Sequence, residues 1–166
     1  MGIQLAKAMG IRVIGIDTGE GKRHLCIRLG CEAFVDFSTT SDLVEEVRHI
    51  SNGDGVDGVF VTATSKAAYA VAPKMTNIGG RVMCVGMPAS GTAFAGDDPM
   101  FLILRNIKII GTLTGTLKDT DDALAFAARG LLKPVYECYS INQLPEAVER
   151  LRSGKVAGRC VINFNA

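Results

Sequence analysis

The sequence predicts an α/β domain, a doubly wound and mainly parallel sheet with helices on both faces. Three observations carry this. Apolar strand-like runs alternate with helical patterns almost from end to end, the order that builds parallel sheets through crossover helices. The strands are continuous apolar runs rather than alternating ones, which implies burial on both faces. The run "RVIGID" at 12–17 closes on Asp17 just after a helix and a glycine, as the second strand of a dinucleotide-binding unit does.

Residues 3–9 read as a helix ahead of that strand, and 21–29 as the helix after it. "AFVDF" (33–37) precedes a helix over 42–50, which Ser41 or Asp42 can cap through a side-chain oxygen. "GVFVTA" (58–63) precedes a helix over 66–77 with Ser65 as its cap. "GRVMCVG" (80–86) leads into the loop "MPASGTAFAGDD" (87–98), then a short helix near 99–105. "IKIIG" (107–111) precedes a helix over 120–129 that Gly130 terminates. "VYECYSI" (135–141) precedes a helix over 145–153, with Pro145 in its first turn and Gly154 at its end. "GRCVINF" (158–164) is the last strand. There is no internal repeat, low-complexity tract or linker, so residues 1–166 are expected to form a single domain.

Hydrophobic residues make up 48% of the chain and charged ones 21%, enough apolar material for a packed core. A net charge of +1, with no dense run of Lys or Arg, argues against nucleic acid or an anionic membrane as the main partner. The apolar stretches are too short to span a bilayer and no secretory signal is legible, so a cytoplasmic location is expected. The five cysteines (Cys26, Cys31, Cys84, Cys138, Cys160) include no CxxC pair and read as buried or free thiols. His24 and His49 lie among charged residues on predicted helices and read as solvated surface.

In a dinucleotide fold, G-x-G-x-x-G joins the first strand to the first helix, and an acid about 20 residues on meets the adenosine ribose. Asp17 sits where that acid belongs. Counting back, Gly2 falls at the third glycine.

The stretch "QLAKAMGIRVIGIDTGEGKRHLCIRLGCEAFVDF" resembles the cofactor domain of zinc-dependent medium-chain alcohol dehydrogenases, especially the yeast and fungal type. So do "GGRVMCVGMPA", "IKIIGTLTGTLKDTDDALAFAARG" and "SGKVAGRCVINF", and the likeness covers essentially the whole chain. The resemblance implies a Rossmann-like fold that begins inside the first cofactor-domain helix, without the family's first strand and without its catalytic domain. It implies an NAD site. Asp17 would accept hydrogen bonds from the adenosine ribose and repel a 2′-phosphate, favouring NAD over NADP, and Lys22 would touch the same ribose. Thr62 and Ala63 would border the adenine and ribose path. Val85, Gly86 and Met87 would lie beside the nicotinamide, with Thr112, Leu113 and Thr114 near its carboxamide. Arg159 would pair with the pyrophosphate, as a forked cation can.

The family's zinc is held by cysteine and histidine ligands from the catalytic domain, and no residue here matches them, so no zinc is expected. Zinc-dependent alcohol oxidation by this chain alone is therefore not expected. The parent strand order is 3-2-1-4-5-6. Removing strand 1 would leave 12–16 and 58–63 with unpaired edges, and buried unpaired backbone groups cost roughly 1–3 kcal/mol each. The parent geometry is therefore not expected to persist. Either those strands close up on each other or another segment fills the gap, such as one from a second chain. In the family that the chain resembles, the edge strand corresponding to 107–111 and its flank pair across a twofold axis. "NIKIIGTLTGTL" is apolar and β-branched enough to keep that role, so the resemblance implies a homodimer joined near 107–117. Two alternatives to a dehydrogenase-type cofactor domain are a repurposed cofactor-independent enzyme (isomerase, cyclase or dehydratase chemistry on a small-molecule substrate) and a non-catalytic binding module. The polar groups open to the first alternative are Asp17, Tyr69, Tyr136, Tyr139 and Lys118, the tyrosines reading more simply as core residues with one hydrogen bond.

Overall fold

The computed structural model describes residues 1–165, so Ala166 of the expected domain lies outside the described residues. Seven α-helices and seven strands follow one another in those residues: α1 (Gly2–Ala8), β1 (Ile14–Asp17), α2 (Glu20–Leu29), β2 (Ala33–Asp36), α3 (Leu43–Ile50), β3 (Val56–Val61), α4 (Lys66–Met75), β4 (Thr76–Cys84), α5 (Pro99–Arg105), β5 (Lys108–Gly111), α6 (Leu117–Ala128), β6 (Tyr136–Ser140), α7 (Leu144–Arg152) and β7 (Arg159–Asn163), with one 3-10 turn (Ile141–Gln143) leading into α7. Every strand pair is parallel, as the alternation of elements predicts. The chain divides into two compact units, one running to Asp36 and resuming at Asp121, the other spanning 37–120.

In the first unit, α2 connects β1 to β2 in a right-sized crossover, with Ile14 opposite Ala33 and Asp17 opposite Asp36. Glu20 stands in the first turn of α2 and Arg28 in its last, each suited to the helix dipole, and left-handed Gly30 (φ +113°) ends it. A second crossover, α7, joins β6 to β7. Gln4 on α1 donates to the Lys133 carbonyl (2.9 Å) and accepts from the Lys133 amide (2.8 Å), tying α1 to the segment before β6. The buried residues of this unit are Cys31, Phe34, Val35, Leu132, Tyr139 and Ala147.

The second unit is a three-stranded sheet in the order β3-β4-β5. Its core gathers Val61, Tyr69, Ala72 and Val82, with Val59 and Ile109 packed against them. Ser65 caps α4 by accepting from the Ala68 amide (3.2 Å), and Asp42 caps α3 by accepting from the Glu45 amide (3.0 Å). The helix expected over 66–77 ends instead at Met75, and the strand expected from residue 80 begins at Thr76. β-Branched Thr76 is fully buried with its hydroxyl on the Ala72 carbonyl (2.8 Å), so it turns the chain straight from helix to strand. The early start is accommodated by a register shift between Val56 and Gly58.

Two expectations are corrected. β3 and β5 are not buried on both faces, whereas β2 is, with adjacent Phe34 and Val35 both buried. Side chains alternate along a strand, so while Val59 and Val61 face α4, Phe60 is 57% exposed, and Ile110 beside Ile109 is 39% exposed. An unbroken apolar run does not say how many faces are covered. Nor do the two strands flanking the missing one close up: among the described residues β1 pairs only with β2 and β3 only with β4, while β6 and β7 form a third sheet. Ile16 in β1 and Gly58 and Phe60 in β3 are exposed.

Candidate functional site

The carboxyl end of β1 carries the first group of polar residues. Asp17 Oδ1 accepts from Lys22 Nζ and from the Thr18 amide, both at 2.8 Å. The Gly19 amide donates to Asp36 Oδ2 (2.9 Å), so the two strand-end carboxylates pin the turn into α2 from either side. Gly19 takes φ +97°, which lets α2 start immediately after that turn and swing Lys22 back over Asp17. Both partners are partly open to solvent.

Beside this pair lies a recess of about 220 Å³, walled by Asp17, Lys22 and Cys26 on one side and by Val156, Ala157 and Gly158 on the other. Gly158 shapes the second wall. It has φ +120°, and a Cβ there would fall 2.5 Å from the Val135 carbonyl oxygen, so only glycine lets the backbone pass this close. The next residue, Arg159, donates its amide to that carbonyl (3.1 Å) and opens β7 with an exposed side chain. Gly2 stands at the start of α1, exposed and outside the recess. Sequence reasoning had not singled out Cys26 or Gly158. The signal for Gly158 was the isolated glycine opening "GRCVINF", which marks a close backbone approach.

The other expected site residues belong to the second unit and collect at the carboxyl ends of its strands. The Val85 and Gly86 amides both donate to the Val61 carbonyl (3.0 and 2.9 Å), and the Thr112 amide donates to the Cys84 carbonyl (3.0 Å). Thr62 and Ala63 follow β3 directly, and a Cβ on Gly86 would lie 2.1 Å from the Ala63 oxygen and 2.7 Å from that of Thr62. Gly86 is therefore a required close approach between two strand ends. Met87, Leu113 and Thr114 lead outward from there and are exposed. The carboxyl edge of an open parallel sheet is where ligands of this architecture bind.

The tyrosines have structural work. Tyr69 is buried and donates to the Gly86 carbonyl, and burial pushes its phenol up. Tyr139 donates to Glu137 Oε2 (2.6 Å), which also accepts from Arg150 (2.9 Å), and that carboxylate raises the phenol to about 12. Tyr136 departs from the core reading, being 52% exposed at the start of its strand. His24 and His49 are exposed on α2 and α3. For zinc the donor set does not fit: among the described residues no three His, Cys, Asp or Glu side chains converge.

The crossovers, the parallel strands and the acid at the end of β1 define a Rossmann-like α/β domain. The family profile described as zinc-binding dehydrogenase matches residues 1–129, and the chain belongs to that family. It is 36% identical over 165 residues to an alcohol dehydrogenase of Schizosaccharomyces pombe, covering 99% of this chain and 46% of the relative. It is 38% identical to alcohol dehydrogenase 1 of Neurospora crassa, covering 98% of this chain and 46% of that one. The chain thus spans about half the length of these curated relatives. Among solved structures, an alcohol dehydrogenase from Aeropyrum pernix superposes with a TM-score of 0.87 at 26% identity, over 96% of this chain and 45% of the other. The acetophenone reductase of Geotrichum candidum in complex with NAD gives 0.80 at 26% identity, over 98% and 45%. The fold of these relatives, expected not to persist, is thus matched over nearly the whole of this chain.

Proposed function

We propose that this chain holds NAD(H) as the cofactor part of an alcohol-dehydrogenase-type oxidoreductase. The observation that supports the reading is the Asp17–Lys22 pair at the end of β1, which opens on a recess, as an acid that receives ribose hydroxyls in this architecture would. Asp17 accepts from the adenosine ribose and disfavours a 2′-phosphate by charge repulsion, while Lys22 orients the carboxylate and reaches the same sugar. Arg159 pairs with the pyrophosphate, where Gly2 stands for the third glycine of the phosphate turn. Thr62, Ala63, Val85, Gly86, Met87, Thr112, Leu113 and Thr114 serve the remainder of the dinucleotide. Bound NAD supplies a hydride acceptor. No zinc step is assigned to this chain's residues: among the described residues no three His, Cys, Asp or Glu side chains are grouped to hold a metal.

The reading includes a cytoplasmic homodimer joined near 107–117. β5 is an edge strand of its sheet, and an open apolar edge favours pairing with a second copy. No helix among the described residues is long and apolar enough to cross a membrane.

Calorimetric titration of the purified chain with NADH tests the cofactor assignment. Saturable binding near one per chain, weaker for NADPH, is expected. Absence of binding at millimolar NADH overturns it.

A further inference from the structure

Helix α2 ends in a pattern that brings two thiols together. The Cys31 amide donates to the Cys26 carbonyl (3.0 Å) and the Gly30 amide to the Ile27 carbonyl (3.0 Å), with Gly30 left-handed between them. These nested bonds are a Schellman motif, in which the side chain just past the glycine packs on the one five positions earlier. An apolar pair ordinarily fills those positions. Here both are cysteines, and they approach closely enough to perturb each other's ionisation. β1 makes room for them: a Cβ on Gly15 would lie 3.2 Å from Cys31 Sγ and 3.5 Å from Cys26 Cβ. The two differ in access. Cys31 is buried at 6% exposure, whereas Cys26 is half-buried and lines the recess beside Asp17 and Lys22.

We propose that Cys26 and Cys31 form a dithiol–disulfide site whose substrate is a low-molecular-weight disulfide entering through that recess. The Cys26 thiolate attacks one sulfur of R–S–S–R, that bond breaks, and the released RS⁻ takes up the proton Cys26 lost. The Cys31 thiolate then attacks Cys26 Sγ in the mixed disulfide. The Cys26–Cys31 bond forms and a second RS⁻ leaves with the Cys31 proton. The protein dithiol gives up two electrons and the small disulfide is reduced to two thiols. Access sets the order, with Cys26 reached first and Cys31 resolving from below. Burial pushes both thiols up, and the Asp17 carboxylate adds to the rise at Cys26, so exchange quickens toward alkaline pH. The site stands independently of nucleotide binding.

The full chain, free of nucleotide, is incubated with oxidised glutathione, its remaining thiols are alkylated, and the tryptic digest is analysed by mass spectrometry. Arg28 lies between the two cysteines, so the disulfide joins two peptides, 24–28 and 29–48. The expected result is that joined pair, lost on reduction and forming roughly tenfold faster per pH unit from neutrality upward. Cys31→Ala is expected to stop at a glutathione adduct on Cys26, and Cys26→Ala to leave Cys31 unmodified. The proposal is overturned if exposed Cys138 acquires glutathione while no joined pair forms in the unaltered chain. It is equally overturned if Cys31 in Cys26→Ala reacts as fast as Cys26 does in the unaltered chain.

Discussion

Lys22 Nζ donates to Asp17 Oδ1 across 2.8 Å, and the same oxygen accepts from the Thr18 amide. The helix that follows β1 thereby holds the carboxylate at the strand end in one orientation. A ribose that offers two hydroxyls needs an acceptor that is already oriented, because ordering it on binding costs affinity. Asp17→Ala is therefore expected to weaken NADH binding at least tenfold, about 1.4 kcal/mol, and to narrow the gap between NADH and NADPH. Unchanged affinity in a calorimetric titration would remove Asp17 from the proposed site.

Lys22 separates binding from stability. Its ion pair is partly exposed, with the two side chains at 30% and 42%, and such pairs contribute about 0.2–1 kcal/mol. Lys22→Ala should leave the urea midpoint nearly unmoved while raising the NADH dissociation constant several-fold. A large loss of stability would mark Lys22 as structural instead.

Gly86 is a steric requirement. A Cβ placed 2.1 Å from the Ala63 oxygen meets backbone, which cannot swing aside as a side-chain tip can. Gly86→Ala is expected to destabilise the chain by about 2–4 kcal/mol through forced separation of the β3 and β4 ends. Chemical denaturation measures this, and a change below about 0.5 kcal/mol would show that the turn has room to relax.

Alkaline stability follows from Cys31. Burial, first, and the neighbouring Cys26 raise its thiol from 9.0 to about 11. A raised acid is protonated in the folded chain while the unfolded chain already ionises. Its contribution is therefore whole below about pH 9 and is lost as pH rises through about 11. The thermal midpoint should fall across that window in the unaltered chain, and less steeply in Cys31→Ala. Parallel curves for the two would refute the assignment.

Association through β5 can be read by sedimentation. Ile110 stands on this edge strand, 39% exposed. Ile110→Asp should shift a dimer toward monomer, since a charge at an apolar pairing edge must be desolvated. An unaltered sedimentation coefficient, with a dimer present, would place the interface elsewhere.

Much of the fold was legible because its signals are local. Ser65 and Asp42 cap the helices they precede, and Gly130 and Gly154 take the left-handed conformation at helix ends where the chain must stop winding. Asp17 at a strand end was readable from "RVIGID" alone. The Cys26–Cys31 contact was also within reach of local reasoning, since "CIRLGC" places cysteines on either side of a helix-ending glycine at the Schellman spacing. The boundary at Thr76 was missed because helical apolar periodicity runs on through "PKMTNI", and it is the burial of a β-branched threonine that decides it.

By itself the sequence determined which segments are helices and strands, that the strands run parallel, and to which family the chain is related, because these depend on residues adjacent in the chain. Tertiary structure alone decided that among the described residues β1 pairs with β2 and β3 with β4, that only one face of β3 is covered, and that Gly158 passes close enough to Val135 to wall a recess beside Asp17. Each of these depends on whether backbone or solvent occupies the space next to a residue, and apolar character and spacing are the same in either case.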